Sequence, residues 1–220
     1  MPSATEENYL KTLYHLEAAC EAVSITALSK QMQVSLPSVN SMVKRLHEKK
    51  LVSYQKYRPL RLTDEGKREA LRIIRKHRLV EMFLVEKMNF GWEEVHEIAE
   101  QVEHIRAPAF FERIDELLGY PQTDPHGSPI PDKEGNIQTP THARLTTYQP
   151  QQTIELVALA DSSRDFLDYL NCKNLRLGQR LQVVSVDAFD QTMHLTFLDE
   201  TETVVLSQAA AEQLYAIRVS

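Results

Sequence analysis

Cysteine is scarce in this chain: two in 220 residues, Cys20 and Cys172, far apart in sequence. That excludes a small disulfide-stapled scaffold and suits two ordinary thiols in a reducing compartment, so a cytoplasmic protein is expected. Glycine is scarce too, at six, beside ten prolines. Collagen-like and linker-dominated chains are excluded. No apolar run approaches the ~18 residues of a membrane span, so no membrane partner is expected. The start, MPSATEENYLK, has no basic stretch leading into an apolar run, and no signal peptide is expected. Catalytic motifs are missing as well. There is no G-x-S-x-G, no P-loop and no G-x-G-x-x-G. His96-Glu97 runs into Ile98-Ala99-Glu100 rather than completing H-E-x-x-H. The expectation is a protein that is not an enzyme.

What is present is ordinary in total and uneven in distribution. Hydrophobic residues make up 42% and charged residues 25%, as in globular proteins. The net charge of −6 conceals a basic block. From Leu28 to Arg78 there are 14 basic and four acidic residues, a local charge of +10; the remainder of the chain carries −16. Such asymmetry points to a polyanion-binding segment beside an acidic one.

Periodicity organises the chain. Tyr9, Leu10, Leu13, Tyr14 and Leu16 predict a helix over residues 5–19. Ser24 predicts the cap of a short helix, Ile25–Met32, and Ser35 the cap of another running to about Lys49, with Pro37 in its first turn. LVSYQKYRPLRLT predicts two strands joined at Lys56–Pro59. Helix, helix-turn-helix and hairpin is the winged-helix order. A long helix is predicted from about Asp64 to Lys87, another from Trp92 to about Arg106, and a third from Pro108 to Leu118, with Gly119 at its end. Residues 120–150 hold six prolines and predict a linker or irregular arm. Residues 151–220 alternate short β-type runs with short helical pieces, the pattern of a small, partly closed β-barrel.

Two clusters carry chemistry. In a helix-turn-helix the second helix enters the major groove with its N-terminal side chains at base edges. Those would be Ser35, Pro37, Ser38, Asn40 and Ser41, with Lys44, Arg45, Lys49 and Lys50 toward the phosphates and Lys56 and Arg58 on the wing. The alternative, a merely solvated basic face, fits a +10 block on a winged helix less well. The second cluster is VHEIAEQVEHI. His96, Glu100, Glu103 and His104 fall on one helical arc, and His77 and Glu81 stand four apart on the helix before it. Three His and three Glu on neighbouring helices suit Mn, Fe, Co, Ni or Zn. The alternative is an acidic, solvated helix face.

Together these segments resemble the diphtheria-toxin-repressor family of iron- and manganese-dependent transcriptional repressors. The resemblance runs through TEENYLKTLYHL, SLPSVNSMVKRL, YRPLRLTDEGK, KHRLVEMFLVE, VHEIAEQVEH and PHGSPIP, in order and over more than half the chain. The β-rich tail is similar to the Src-homology-3-like domain of the longer members. The implied architecture is mainly α with β. A winged-helix DNA-binding domain would occupy 1–75, a helical metal-binding and dimerisation domain with a Pro-rich arm 76–140, and a Src-homology-3-like β-barrel 141–220. The resemblance implies primary metal ligands at Asn8, Glu100, Glu103 and His104, and ancillary ligands at His77, Glu81 and His96. It also offers Asp161 or Asp165 from the tail. In some manganese members a Glu ligates from the position of Lys11; a lysine cannot, which argues for a separate ancillary site. It further implies a homodimer, through the helices after Trp92, on a pseudo-palindromic double-stranded operator.

Position 100 is Glu where the family's iron sensors carry Cys, and position 8 is Asn rather than Met. An all-N/O donor set favours Mn(II) or Fe(II) over soft metals, with Mn(II) preferred here, although neutral Asn8 removes one negative charge. The rival readings are an iron-dependent repressor, a winged-helix protein without metal control, and a metal-dependent hydrolase using His96 and His104.

Overall fold

The first helix, α1 (Ala4–Ala19), buries Tyr9, Leu10 and Leu13 on one stripe and takes Glu6 and Lys11 inside with them. In this computed structural model, residues 2–19, 22–55, 58–138, 140–198 and 203–219 are described. Ser24 caps α2 (Ile25–Met32), its side chain accepting from the Ala27 N–H, and Gln33 ends that helix in the left-handed conformation. Ser35 caps α3 (Leu36–Glu48) by accepting from the Ser38 N–H, with Pro37 in the first turn. This satisfies N–H groups that have no partner inside their helix. The wing is β1 (Val52–Ser53) paired antiparallel with β2 (Arg61–Leu62), Val52 opposite Leu62. Lys56, proposed for the wing tip, lies outside the described residues.

Next come the long α4 (Asp64–Met88), then α5 (Val95–Val102) and α6 (Pro108–Leu117). Here one expectation is corrected. The helix anticipated from Trp92 to Arg106 is only eight residues long. Glu94 folds back on Gly91 as a turn, its N–H on the Gly91 carbonyl and its carboxylate accepting the Gly91 N–H. At the other end the Ile105 N–H bonds to Val102 instead of continuing the helical ladder. Pro108 then starts a new helix, and the residue before a proline avoids the helical conformation. Glu103 and His104 therefore sit in a turn, not on a helix face.

The chain divides into two compact units, residues 1–80, 99–119 and 130–138 in the first, and 81–98, 120–129 and 139–220 in the second. The first unit packs Leu10, Leu13, Leu28, Val39, Val43, Leu46, Leu60 and their neighbours into one core. The second contains β3 (Ala143–Arg144), β4 (Thr153–Leu159), α7 (Arg164–Cys172), β5 (Arg180–Val186), β6 (Met193–Phe197), β7 (Thr203–Leu206), α8 (Gln208–Ala211) and β8 (Leu214–Arg218). Its strands form a six-stranded antiparallel sheet, order β3-β8-β4-β5-β6-β7. Alternate residues of β5, β6 and β7 face inward, and α7 adds Leu167 and Leu170 to the core. This is consistent with the Src-homology-3-like tail. No described helix is long and apolar enough to cross a membrane.

The proline-rich stretch is more ordered than a spacer. Asp124 Oδ1 accepts from the N–H groups of His126 and Ser128, closing a tight loop in the second unit. Asp132 does the same for Asn136 in the first. A carboxylate that accepts local N–H groups replaces the bonds a helix or strand would give.

Candidate metal centre and nucleic-acid interface

The N-terminal residues of α3 form an exposed polar rim. Ser35, Pro37, Ser38, Ser41 and Lys44 are exposed and Asn40 is half-buried. Their side chains are tied locally: Ser35 to Ser38, Asn40 to the Leu36 carbonyl, Ser41 to the Pro37 carbonyl. Val39, Val43 and Leu46 hold the opposite face in the core. Arg58 is exposed on the wing.

Arg45 and Lys49 are engaged differently from the expectation that they continue toward phosphate. Both reach the fully buried Glu6 on α1, Arg45 Nε at 2.8 Å and Lys49 Nζ at 2.7 Å. The Ser3 N–H donates to the same carboxylate at 2.7 Å. Burial works to raise the Glu6 pKa, but the Lys49 hydrogen bond, the Ser3 N–H and the charges of Lys49 and Arg45 outweigh it and hold the carboxyl below its ordinary range. Glu6 thus fastens the start of α1 to the end of α3.

Beside Glu6, α1 faces a carboxylate cluster, all within the first unit. Lys11 Nζ lies 2.5 Å from Glu100 Oε1, and 2.7 and 2.9 Å from the two oxygens of Glu103. His77 Nδ1 is 2.5 Å from Glu103 Oε2, and Glu103 is completely buried. Donor atoms of His77, Glu100 and Glu103 lie within 4.8 Å of one another. His104 Nδ1 is 2.6 Å from Glu7 Oε2. A carboxylate only accepts, so Nδ1 is the donor, and in the neutral ring the lone pair is then on Nε2, 3.6 Å from Glu103 Oε1. That Nε2 is buried with no hydrogen-bond partner among the described residues, and so is Asn8 Oδ1. Leaving such atoms bare costs ~1–3 kcal/mol each. Both belong to the four residues expected as primary ligands, and the chemistry of those four suits a divalent cation: two carboxylates, an imidazole nitrogen and an amide oxygen, all N/O donors. Glu7 was not picked out from sequence. It fixes the His104 tautomer as carboxylates do behind metal-bound histidines, but Glu7 reads in sequence as an ordinary first-turn acid.

A second cluster lies in the second unit. Glu81, Asp124 and His126 are buried with donor atoms within 4.8 Å, and His96 Nδ1 is 3.3 Å from Glu81 Oε1. His126 Nε2 donates to the Trp92 carbonyl at 2.9 Å, and its Nδ1 lies 4.0 Å from Glu81 Oε2. Trp92 stacks on the ring, centroids 6.0 Å apart. Gly127, at φ +81°, lets this loop touch β4, since a Cβ there would come 2.3 Å from the Val157 carbonyl oxygen. Asp124 and His126 were hidden in a stretch that read as linker; the signal was the pair of donors flanking a proline and followed by glycine. His77, expected with Glu81 and His96, stands one turn before Glu81 on α4. Asp161 caps the approach to α7 through Ser163, and Asp165 is exposed in the first turn. Among the described residues neither joins a group of three donors.

Known proteins are similar to this chain in sequence and in structure. Residues 1–60 match the profile described as "Iron dependent repressor, N-terminal DNA binding domain", and residues 63–132 match "Iron dependent repressor, metal binding and dimerisation domain". The chain is 35% identical over 127 residues to the "Iron-dependent repressor IdeR" of Mycobacterium leprae, which is 58% of this chain and 55% of that protein. The match therefore spans little more than half the length of that relative. It is 30% identical over 124 residues to the "HTH-type transcriptional regulator MntR" of Oceanobacillus iheyensis, 56% of this chain and 84% of that protein. A solved structure described as "Manganese-dependent transcriptional repressor complex with manganese" aligns with a TM-score of 0.83 and 31% identity, over 97% of this chain and all of the other. Matches to both domain profiles and to a whole solved relative, on a chain with a capped recognition helix and a carboxylate–imidazole cluster, lead to one conclusion: the chain belongs to the iron-dependent repressor family of metal-dependent transcriptional repressors.

Proposed function

We propose that the protein is a manganese-responsive DNA-binding repressor that acts as a homodimer on a pseudo-palindromic operator and governs metal homeostasis. Residues 1–75 would bind DNA, 76–140 metal and the second subunit, and 141–220 would form the Src-homology-3-like domain. The observation that carries the reading is the pair of buried, unpartnered donor atoms, Asn8 Oδ1 and His104 Nε2, on segments that also present Glu7, Glu100 and Glu103. A divalent cation there supplies two positive charges that neutralise the carboxylates. The chain's own residues do the rest. Glu7 holds the His104 ring with its lone pair outward. Asn8 lies between Glu7 and Lys11 on α1, and Glu6, one residue earlier, ties that helix to Arg45 and Lys49 of α3. The placement of α1 is thereby passed to the helix whose Ser35, Pro37, Ser38, Asn40 and Ser41 meet the groove.

The all-N/O set of Asn8, Glu100, Glu103 and His104 accepts Mn(II) or Fe(II), and manganese is preferred because Glu stands at position 100, where the family's iron sensors carry Cys, and Asn rather than Met at position 8. The ancillary ligands would be His77, Glu81 and His96, with Asp124 and His126 as further candidate donors. Dimerisation is supported by apolar side chains in solvent at Ile105, Phe110 and Leu117, each 40% or more exposed. The test is a titration of a duplex selected from a random pool, with Mn2+ and Fe2+ in parallel under anaerobic conditions. Metal should tighten binding by the ~5- to 150-fold typical of coupled sites, and His104→Ala should remove that gain. Equal DNA affinity with Mn2+ and with chelator would refute metal control.

A further inference from the structure

Lys11 stands in the midst of the donors. Its residue is 9% exposed, and its ammonium lies 2.5, 2.7 and 2.9 Å from three oxygens of Glu100 and Glu103. An ammonium has three donors and no acceptor, so its whole hydrogen-bonding capacity is spent on these two carboxylates. Without a neighbouring cation, two carboxylates this close repel, and one of them at zero exposure has no water to relieve it. Lys11 resolves that conflict by contributing one positive charge on a four-carbon tether from α1.

A transition-metal ion needs the same oxygens at ~2.0–2.2 Å, inside the shell that the ammonium now fills. Two cations sharing those lone pairs would repel each other strongly in a poorly solvated site. We propose that Lys11 is a tethered competitor of the effector metal: its ammonium occupies the Glu100–Glu103 pair in the metal-free protein and must withdraw for a divalent ion to enter. The inference rests on Glu100 and Glu103 being metal ligands. Its consequence is a raised threshold. The competitor's local concentration is fixed by its covalent tether, so it weakens apparent metal affinity by a constant factor. It also keeps the metal-free carboxylates from driving the segments apart, so the protein waits in a folded state. Lys11 is therefore an affinity-setting residue, and its removal should move two properties in opposite directions.

The experiment uses the full chain with Lys11→Met, which keeps length and removes charge, and Lys11→Gln as a second neutral form. Lys11→Arg serves as the charge-retaining control. Mn2+ affinity is measured by competition with a chelating dye, and the Tm of each protein is measured in chelator. The expected result is Mn2+ binding at least tenfold tighter in both neutral variants, a Tm in chelator lower by several degrees, and affinity near wild type for Lys11→Arg. Tighter Mn2+ binding in either neutral variant suffices if the other fails to fold. Unchanged or weaker Mn2+ binding in the neutral variants, with wild type binding normally, overturns the competitor role and leaves the metal site standing. If neither wild type nor the neutral variants bind Mn2+, the ligand reading itself fails and the inference goes with it. Binding by a neutral variant alone would show the competitor at its strongest.

Discussion

Replacing Glu6 by Gln tests the connection between α1 and the recognition helix most directly. Glu6 is fully buried and gathers one backbone N–H and two side-chain cations. Hydrogen bonds to a charged group are worth ~1.5–3 kcal/mol each when buried. Here the Arg45 and Lys49 side chains are 58% and 39% exposed, so water already screens them and most of that value is lost. Allowing the Ser3 bond in full and each cation a fraction, Glu6→Gln should cost about 2 kcal/mol. The assay is hydrogen exchange in chelator, followed in α1 and α3, with urea unfolding by circular dichroism as the global measure. Amides of both helices should lose protection together. The pH dependence has a definite sign. The Glu6 carboxyl is held below its ordinary value of 4.5, so the unfolded chain binds the proton more readily. Its contribution is complete above that value and is lost as pH falls through the lowered folded pKa. The wild-type and Glu6→Gln curves should therefore differ above pH 4.5 and converge in acid. A stability difference under ~0.5 kcal/mol at neutral pH, the range of an ordinary surface change, would refute the clasp.

Three further outcomes are expected. Glu7→Gln should weaken Mn2+ affinity ~10- to 100-fold through loss of the His104 tautomer, as read by competition with a chelating dye. An unchanged affinity would remove Glu7 from the site. Gly127→Ala should destabilise the second unit by at least ~2 kcal/mol, because a Cβ there meets the Val157 carbonyl at 2.3 Å and φ is +81°. Loss of fluorescence change from Trp92 at a lower urea concentration reports it. DNA binding should fall steeply with salt, and Lys44→Ala, at an exposed cation of α3, should weaken all duplexes alike and lower the slope by about one. A flat salt profile would contradict the role of the basic block.

Much of the fold was legible because it is written in short-range rules. Ser24 and Ser35 cap the helices they precede, and Val39, Val43 and Leu46 bury the stripe their spacing predicts. The β-type runs of the tail pair as an antiparallel sheet. The helix over Trp92–Arg106 was overextended because its apolar periodicity continues through Ile105, whereas a turn at Gly91 and Pro108 limit it from both ends. That shortening changes the site, since it takes Glu103 and His104 off the helix face on which their spacing placed them.

What sequence by itself determined is the inventory: a basic winged helix, a set of His and Glu donors without sulfur, and a lysine at position 11 that cannot ligate. The first two follow from composition, local propensity and side-chain chemistry, the third from the family resemblance, and none needs a neighbour distant in the chain. Tertiary structure decided which charges meet. Glu6 finds Arg45 and Lys49 some forty residues away, Glu7 finds His104 across 97 positions, and Lys11 meets Glu100 and Glu103 across 89 and 92. Electrostatic energies depend on distance in space and on the water excluded around the pair. Those quantities exist only once α1 has packed its Tyr9–Leu10–Leu13 stripe into the core and carried its polar face to the carboxylates.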